Sequence, residues 1–216
     1  MNPSLELGPG IRYWPEGIAE ADQRALLAEI LALAERAPFY RPTMPVSGKP
    51  LSVEMTNFGT FGWVTDQAKG YRYEPAHLMT GAPWPAIPPR LLGLWAETTN
   101  YPAPPEACLV NLYRGEARMG LHRDEDEAAM DAPVLSVSLG DTALFRFGGT
   151  VRRHPTQSLK LKSGDVLVFG GTARLMYHGV DRIQAGSSGL VPGGGRINLT
   201  LRRVSLPQNK GDRSGG

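Results

Sequence analysis

The chain lacks the sequence features of disulfide-stabilised, membrane-spanning and secreted proteins. Its 216 residues include a single cysteine, Cys108, which excludes an internal disulfide framework, and its apolar surroundings predict a small buried side chain. Every apolar run is far shorter than the roughly 20 residues of a membrane-spanning helix. The first residues lack the basic and then apolar pattern of a secretory signal. We therefore expect a cytoplasmic protein without membrane contact.

The net charge of the chain is small, whereas glycine and proline are abundant. A formal net charge of +2 does not by itself indicate a nucleic-acid-binding protein. The 26 glycines and 19 prolines favour many turns and short strands over a helical bundle. Helical spacing of apolar residues predicts one helix over residues 18–36 and a shorter one over 90–99. Residues 107–204 are mostly short apolar segments between turn residues, which predicts a sandwich, a barrel or a jelly roll, whereas residues 1–17 are predicted to be irregular.

Histidines and one aspartate form the first candidate site. His122 and Asp124 are two positions apart, so on a strand their side chains point to the same side and can share a metal ion. His178 follows in another strand-like segment. Two histidines and one carboxylate on one face of iron(II) leave positions open for O₂ and a chelating co-substrate. The remaining histidines, His77 and His154, lie in polar stretches near proline and are predicted to be at the surface.

The acidic run around this pair has a simpler explanation as well. Asp124, Glu125, Asp126 and Glu127 are consecutive, and such a run is typical of a solvated surface turn. A lone histidine–aspartate pair inside it is therefore a weak signal, and the metal site needs support from elsewhere in the chain.

A second pattern lies near the end of the chain. Four polar residues alternate there with Ile197, Leu199 and Leu201; they are Arg196, Asn198, Thr200 and Arg202. Because strand side chains alternate between two faces, the four polar groups share one face. An antiparallel strand with one solvated face shows the same alternation. Two guanidinium groups on one face also suit a small dianion, since each can pair with a carboxylate through two hydrogen bonds. Asn111 and Tyr113 likewise share a face.

Taken together, these segments resemble the AlkB family of iron(II)/2-oxoglutarate-dependent DNA-repair dioxygenases. The matching motifs occur in family order over roughly residues 10–204: MTNFGTFGW (Met55–Trp63), GYRY (Gly70–Tyr73), NLY (Asn111–Tyr113), LHRDEDE (Leu121–Glu127), PVLSVSLG, FRFGG, GDVLVFGG, RLMYHG and RINLTLR. The resemblance implies a mainly β fold with some α-helix: a double-stranded β-helix (jelly-roll) core with flanking helices and an N-terminal nucleotide-recognition lid. The implied division is an N-terminal extension with helices and lid over 1–105, a core over 106–204 and a disordered tail over 205–216, all within one structural domain.

The resemblance also implies a role for individual residues. The iron ligands, and with them the catalytic residues, fall on His122, Asp124 and His178. The residues that would contact 2-oxoglutarate are Asn111, Tyr113, Arg196, Asn198 and Arg202. The residues on the substrate side are Met55, Trp63, Tyr71, Tyr73, Asp126 and Arg152. Trp63 and His122 would sandwich a cationic methylated base, which suits an electron-rich aromatic face.

The implied reaction is oxidative demethylation of N-alkylated bases of the 1-methyladenine and 3-methylcytosine type. Fe(II), O₂ and 2-oxoglutarate are implied as cofactor and co-substrates, with release of succinate, CO₂ and formaldehyde. The implied partner is alkylated single- or double-stranded DNA, with RNA left open, and the expected oligomeric state is a monomer. Two alternatives remain at this point: a 2-oxoglutarate-dependent hydroxylase of a protein or small molecule, and a jelly-roll binding module without redox chemistry.

Overall fold

Two antiparallel sheets face each other in the computed structural model, which describes residues 4–207. The larger sheet has seven strands, in the spatial order β1 (Leu5–Gly8), β2 (Ile11–Trp14), β11 (Val166–Phe169), β8 (Val134–Gly140), β13 (Arg196–Arg202), β6 (Ala107–Tyr113) and β3 (Glu54–Gly59). The smaller sheet has four strands, in the order β10 (Thr156–Leu161), β9 (Thr142–Gly148), β12 (His178–Gln184) and β7 (Met119–His122). A separate hairpin is formed by β4 (Gly62–Asp66) and β5 (Gly70–Glu74). The predicted mainly β, jelly-roll-like fold is confirmed.

Two helices cover the outer face of the larger sheet. Helix α1 spans Glu20–Arg36, with acidic residues in its first turn and Arg36 in its last, which suits the helix dipole. Helix α2 spans Pro89–Thr99, starts at a proline and ends before Asn100 in the left-handed conformation. Both predicted helices are therefore confirmed, with slightly different bounds. The apolar side chains that they bury, such as those of Ile30 and Trp95, each contribute roughly 1.5–3 kcal/mol.

The N-terminal residues differ from the sequence-based prediction. The sequence predicts irregular structure over residues 1–17, but β1 and β2 pair with each other, and β2 also pairs with β11. Both strands are only four residues long, and β11 lies far away along the chain, so the local pattern was weak. Because β1, β2 and β3 all join the larger sheet, the first part of the chain contributes directly to the sandwich. The division at residue 105 stays a prediction, and most of the predicted disordered tail lies outside the described residues.

Strand β13 divides the interior into two layers. Ile197, Leu199 and Leu201 pack towards the helices in one apolar cluster. The polar residues of the same strand lie on the opposite face, between the sheets, where Arg196 is 1% exposed and Arg202 is 6% exposed. The interpretation of this face as solvated is therefore wrong, and its charged groups need partners inside the protein or a bound ligand. Neither helix of residues 4–207 is long and apolar enough to cross a membrane.

His77 is buried, contrary to the prediction that it lies at the surface. Its ring Nδ1 accepts hydrogen bonds from the backbone N–H groups of Met79 and Thr80, at 3.1 and 3.3 Å, and its Nε2 lies 2.8 Å from the carbonyl oxygen of Pro38. The imidazole also contacts the ring of Trp84, with 5.1 Å between the centroids. The histidine therefore connects the loop after α1 with the chain that leaves the hairpin.

Replacing His77 by alanine is expected to destabilise the protein by roughly 2–4 kcal/mol, because it leaves a cavity and removes three backbone hydrogen-bond partners. Urea unfolding monitored by tryptophan fluorescence measures this change. The matched control is His154→Ala, since His154 is exposed, and its free energy of unfolding should change by less than about 0.5 kcal/mol. Equal effects of the two substitutions would contradict the structural role of His77.

Candidate active site

A cavity of about 350 Å³ is lined by residues of both sheets and of the β4–β5 hairpin. It brings together residues that are widely separated along the chain. Of the predicted site residues, all but Tyr73 line it: His122, Asp124, His178, Asn111, Tyr113, Arg196, Asn198, Arg202, Met55, Trp63, Tyr71, Asp126 and Arg152. The sequence-based selection therefore converges on one place in the fold.

The two histidines and the aspartate form a compact cluster in this cavity. His122 and His178 are directly opposite each other on the paired strands β7 and β12. Their Nε2 atoms lie 3.7 and 3.9 Å from the carboxylate oxygens of Asp124, and one ligand atom of each residue lies within 4.8 Å of the others. The Nδ1 atoms lie 2.9 and 3.1 Å from the carbonyl oxygens of Gly120 and Met176. These contacts fix both rings with Nε2 turned towards the carboxylate, as is usual for histidines that bind a metal.

Asp124 reaches the cluster in a different way from the one predicted. Strand β7 ends at His122, so strand alternation does not place the carboxylate. Instead, the Arg174 guanidinium donates hydrogen bonds to the carbonyl oxygens of Asp124 and Ala132, and thereby holds the loop that follows β7. The cluster is thus built from two adjacent strands and one loop pinned by a buried arginine.

Electrostatics keep the cluster in the form that a metal ion requires. Burial alone would raise the pKa of Asp124, but the charge of Arg202, together with His178 and His122, outweighs it and lowers the pKa to about 2. Burial and the neighbouring His122 lower the pKa of His178 to about 4. At neutral pH the cluster therefore offers a carboxylate and a neutral imidazole, which are the protonation states that bind metal ions.

Arg196 is a buried cation that forms no salt bridge with a carboxylate of residues 4–207. Its Nη2 donates to Ser138 Oγ at 2.9 Å, and its guanidinium lies 5.5 Å from the ring centroid of Tyr113. Its Nε and Nη1 have no hydrogen-bond partner among residues 4–207, and the same is true of Asn111 Oδ1. Burial lowers the pKa of Arg196 to about 10, so it remains charged at neutral pH. A buried guanidinium with two unused donors fits the carboxylate of a small ligand in the cavity.

The other residues on this face have partners within the protein. Asn198 Nδ2 donates to Ser136 Oγ and to the carbonyl oxygen of Val137, at 2.8 and 3.0 Å, while its Oδ1 accepts from Thr200 at 3.1 Å. Arg202 Nη2 lies 2.8 Å from Asp124 Oδ1. Arg202 therefore links the β13 face to the metal-binding cluster.

Aromatic residues of the hairpin form the outer side of the cavity. The rings of Trp63 and Tyr71 are stacked, with 5.4 Å between centroids and an interplanar angle of 21°. The indole Nε1 of Trp63 donates to Asp126 Oδ2 at 2.7 Å. Tyr71 is 53% exposed and Met55 is buried, while the guanidinium of Arg152 lies 6.0 Å from the ring centroid of Tyr177. Trp63, Tyr71, Asp126 and Arg152 thus line the more exposed part of the cavity, with a flat aromatic surface on one side, whereas Met55 lines its interior.

Tyr73 is placed elsewhere, in a buried network that the sequence did not predict. Its hydroxyl contacts Glu127, whose other oxygen accepts from Arg174 Nη2 at 2.9 Å. Glu127 is 4% exposed, whereas the run of four acidic residues predicts a solvated turn. Arg174 is 3% exposed, and no local pattern marked it. These partners lie on separate segments, so only the folded chain reveals the pairing.

The comparisons with known proteins agree with this geometry. The family model of the "2OG-Fe(II) oxygenase superfamily" matches residues 10–202. An "Alpha-ketoglutarate-dependent dioxygenase AlkB homolog" from Caulobacter vibrioides is 58% identical over 93% of this chain and 90% of its own length. "Alpha-ketoglutarate-dependent dioxygenase AlkB" from Escherichia coli is 42% identical over 83% of each chain.

A more distant sequence and a solved structure extend the comparison. "DNA N(6)-methyladenine demethylase ALKBH1C" from Arabidopsis thaliana is 40% identical over 46% of this chain, which corresponds to 24% of its own length. The solved structure of OsALKBH1 superposes with a TM-score of 0.81 at 30% identity, covering 93% of this chain and 100% of the other. The structural likeness therefore extends over nearly the whole chain.

Proposed function

The chain belongs to the 2OG-Fe(II) oxygenase superfamily, and within it to the AlkB family, and we propose that it oxidatively demethylates N-alkylated bases in nucleic acid. Fe(II), 2-oxoglutarate and O₂ are the requirements of this superfamily. One observation carries the proposal on substrate: a single cavity is lined by the histidine–aspartate cluster, by the buried Arg196 and by the stacked Trp63–Tyr71 pair. A flat aromatic surface next to a carboxylate suits a cationic methylated base.

In this proposal the inner side of the cavity holds the metal and the co-substrate. His122, Asp124 and His178 would bind Fe(II), which together with 2-oxoglutarate and O₂ supplies the oxidising power for hydroxylation of the methyl group. Arg196 and Arg202 would bind the two carboxylates of 2-oxoglutarate. The remaining co-substrate contacts would be Asn111, Tyr113 and Asn198. Arg196 Nε and Nη1 and Asn111 Oδ1, which have no hydrogen-bond partner within residues 4–207, support this assignment.

The outer side would bind and orient the base. Trp63 would stack on it, with His122 on its other face, and Asp126 would attract its positive charge. Tyr71, Met55 and Arg152 would complete the substrate side. The hydrogen bond from Trp63 Nε1 to Asp126 fixes the indole plane before substrate arrives, which reduces the ordering cost of binding. A base in a duplex must first be flipped out at a cost of a few kcal/mol, and the cost is least where methylation has already broken the pairing.

The test is a single-turnover assay with Fe(II), 2-oxoglutarate, O₂ and an oligonucleotide containing 1-methyladenine or 3-methylcytosine. We expect succinate and formaldehyde in equal amounts together with the unmethylated base, measured by mass spectrometry. An unmethylated oligonucleotide of the same sequence is the control. Succinate release that no methylated DNA or RNA stimulates would favour hydroxylation of a protein or small molecule instead.

We also propose that the protein acts as a monomer in the cytoplasm. Its single cysteine is free and buried, which suits a reducing compartment. Light scattering at assay concentration, which gives the molar mass in solution, tests the oligomeric state directly. A mass close to twice the 23.4 kDa of the chain would contradict the proposal.

A further inference from the structure

The hydroxyl of Tyr73 lies between two buried charged groups. It donates a hydrogen bond to Glu127 Oε1 and accepts one from Arg202 Nη1 at 3.3 Å. Burial raises the pKa of Tyr73, so the hydroxyl remains protonated and able to donate. Tyr73 belongs to strand β5 of the hairpin, whereas Arg202 ends strand β13 of the larger sheet. One hydroxyl group therefore connects the hairpin with the arginine that also pairs with Asp124.

Glu127 is itself held firmly in place. Its side chain is completely buried, and Oε1 lies 3.5 Å from Arg202 Nη1 while Oε2 accepts from Arg174 Nη2 at 2.9 Å. Arg174 in turn donates to the carbonyl oxygens of Ala132 and Asp124. A carboxylate in this position cannot rotate without leaving a buried charge unpaired, which is costly. Glu127 is therefore a rigid support for both Tyr73 and Arg202.

These contacts leave one nitrogen atom of the Arg202 guanidinium without a partner in residues 4–207. Nη1 is engaged by Tyr73 and Glu127, and Nη2 by Asp124, whereas Nε has no partner among the described residues. Arg202 also lines the cavity. We propose that Tyr73 and Glu127 are positioning residues that hold the Arg202 guanidinium for the 2-oxoglutarate carboxylate, an inference that rests on the proposed role of Arg202. The affinity for 2-oxoglutarate then depends on Tyr73, although the other hairpin residues of the cavity, Trp63 and Tyr71, lie on the proposed substrate side.

The first test is binding of 2-oxoglutarate to the Mn(II)-loaded protein without O₂, measured by calorimetry. Tyr73→Phe removes only the hydroxyl, and we expect about tenfold weaker binding, which is close to the lower end of the range for a hydrogen bond to charged groups. Tyr101→Phe is the matched control, because the Tyr101 hydroxyl also contacts a carboxylate, that of Asp131 at 3.1 Å. Tyr101 does not line the cavity, so its replacement should leave 2-oxoglutarate affinity at the wild-type value.

Steady-state kinetics separate positioning from direct substrate contact. For Tyr73→Phe we expect the KM for 2-oxoglutarate to rise about tenfold, while kcat at saturating 2-oxoglutarate and the KM for methylated oligonucleotide stay close to wild type. A higher KM for the oligonucleotide with unchanged 2-oxoglutarate affinity would overturn the inference and make Tyr73 a substrate contact. A lower melting temperature with both affinities unchanged would overturn it as well.

A second variant tests the inference independently if Tyr73→Phe does not fold. Glu127→Gln keeps the shape of the side chain but removes its charge, and it should also weaken 2-oxoglutarate binding by about tenfold. If either folded variant bound 2-oxoglutarate like wild type, the positioning role of that residue would be refuted. Arg202→Lys tests the premise separately, because unchanged affinity in that variant would remove Arg202 from the proposed co-substrate site. Weaker binding by Arg202→Lys, with wild-type binding by Tyr73→Phe, would defeat this inference alone.

Discussion

Replacing Asp124 by alanine is expected to abolish turnover and to weaken metal binding at least about a hundredfold. The estimate follows if three protein ligands share a metal-binding free energy of about 10 kcal/mol and one of them is lost. The substitution also removes the anionic partner of Arg202, which lies 2.8 Å from Asp124 Oδ1. Calorimetric titration of the apoprotein with Mn(II) measures the affinity, and formaldehyde release measures turnover.

The control for this substitution lies one residue further along the acidic run. Glu125 pairs with Arg123 and is half-exposed, so Glu125→Ala should bind Mn(II) with the affinity of the wild type. If the two variants lost affinity equally, the run would act as a diffuse acidic patch, as its composition alone allowed. Wild-type metal affinity in Asp124→Ala would remove Asp124 from the ligand set.

The comparison of Asp124 with Glu127 shows where sequence-based prediction stops. The spacing of His122 and Asp124 identified two members of the cluster, even though strand alternation turned out not to be the cause of their proximity. Nothing local distinguished Glu127 from its acidic neighbours. Its burial depends on Arg174 and Tyr73, which come from other segments of the chain. Contacts between side chains of distant segments follow no periodic pattern in the sequence, so they can be identified only from the structure.

Strand β13 is the opposite case, because a two-residue period is a local property of a strand. The sequence placed its four polar side chains on one face, and that face lines the cavity. The sequence could not decide whether this face was solvated or buried, since both arrangements give the same alternation. What settles the question is the smaller sheet, which covers the face. The buried charge of Arg196 then becomes the most informative feature of the site.

Replacing Arg196 by methionine is expected to weaken 2-oxoglutarate binding at least about a hundredfold, because a buried charge pair with the co-substrate is lost. The same substitution should stabilise the apoprotein by roughly 1–3 kcal/mol, since Arg196 is buried without a salt bridge to any carboxylate of the described chain and methionine removes that desolvation cost. Loss of the hydrogen bond to Ser138 offsets part of the gain. Calorimetry on the Mn(II)-loaded protein measures affinity, and urea unfolding measures stability.

Arg174→Met is the control for the expected gain in stability of Arg196→Met. Arg174 is buried like Arg196, but it is fully engaged with Glu127 and two carbonyl oxygens, so its loss should destabilise the protein by about 3–5 kcal/mol. We therefore expect the substitution by methionine to stabilise the protein at Arg196 and to destabilise it at Arg174. A buried arginine that destabilises the apoprotein is expected in a binding site, because its charge is paired only when the ligand is bound. If Arg196→Met destabilised the protein as much as Arg174→Met, Arg196 would be a structural residue, and the carboxylate site would have to lie elsewhere in the cavity.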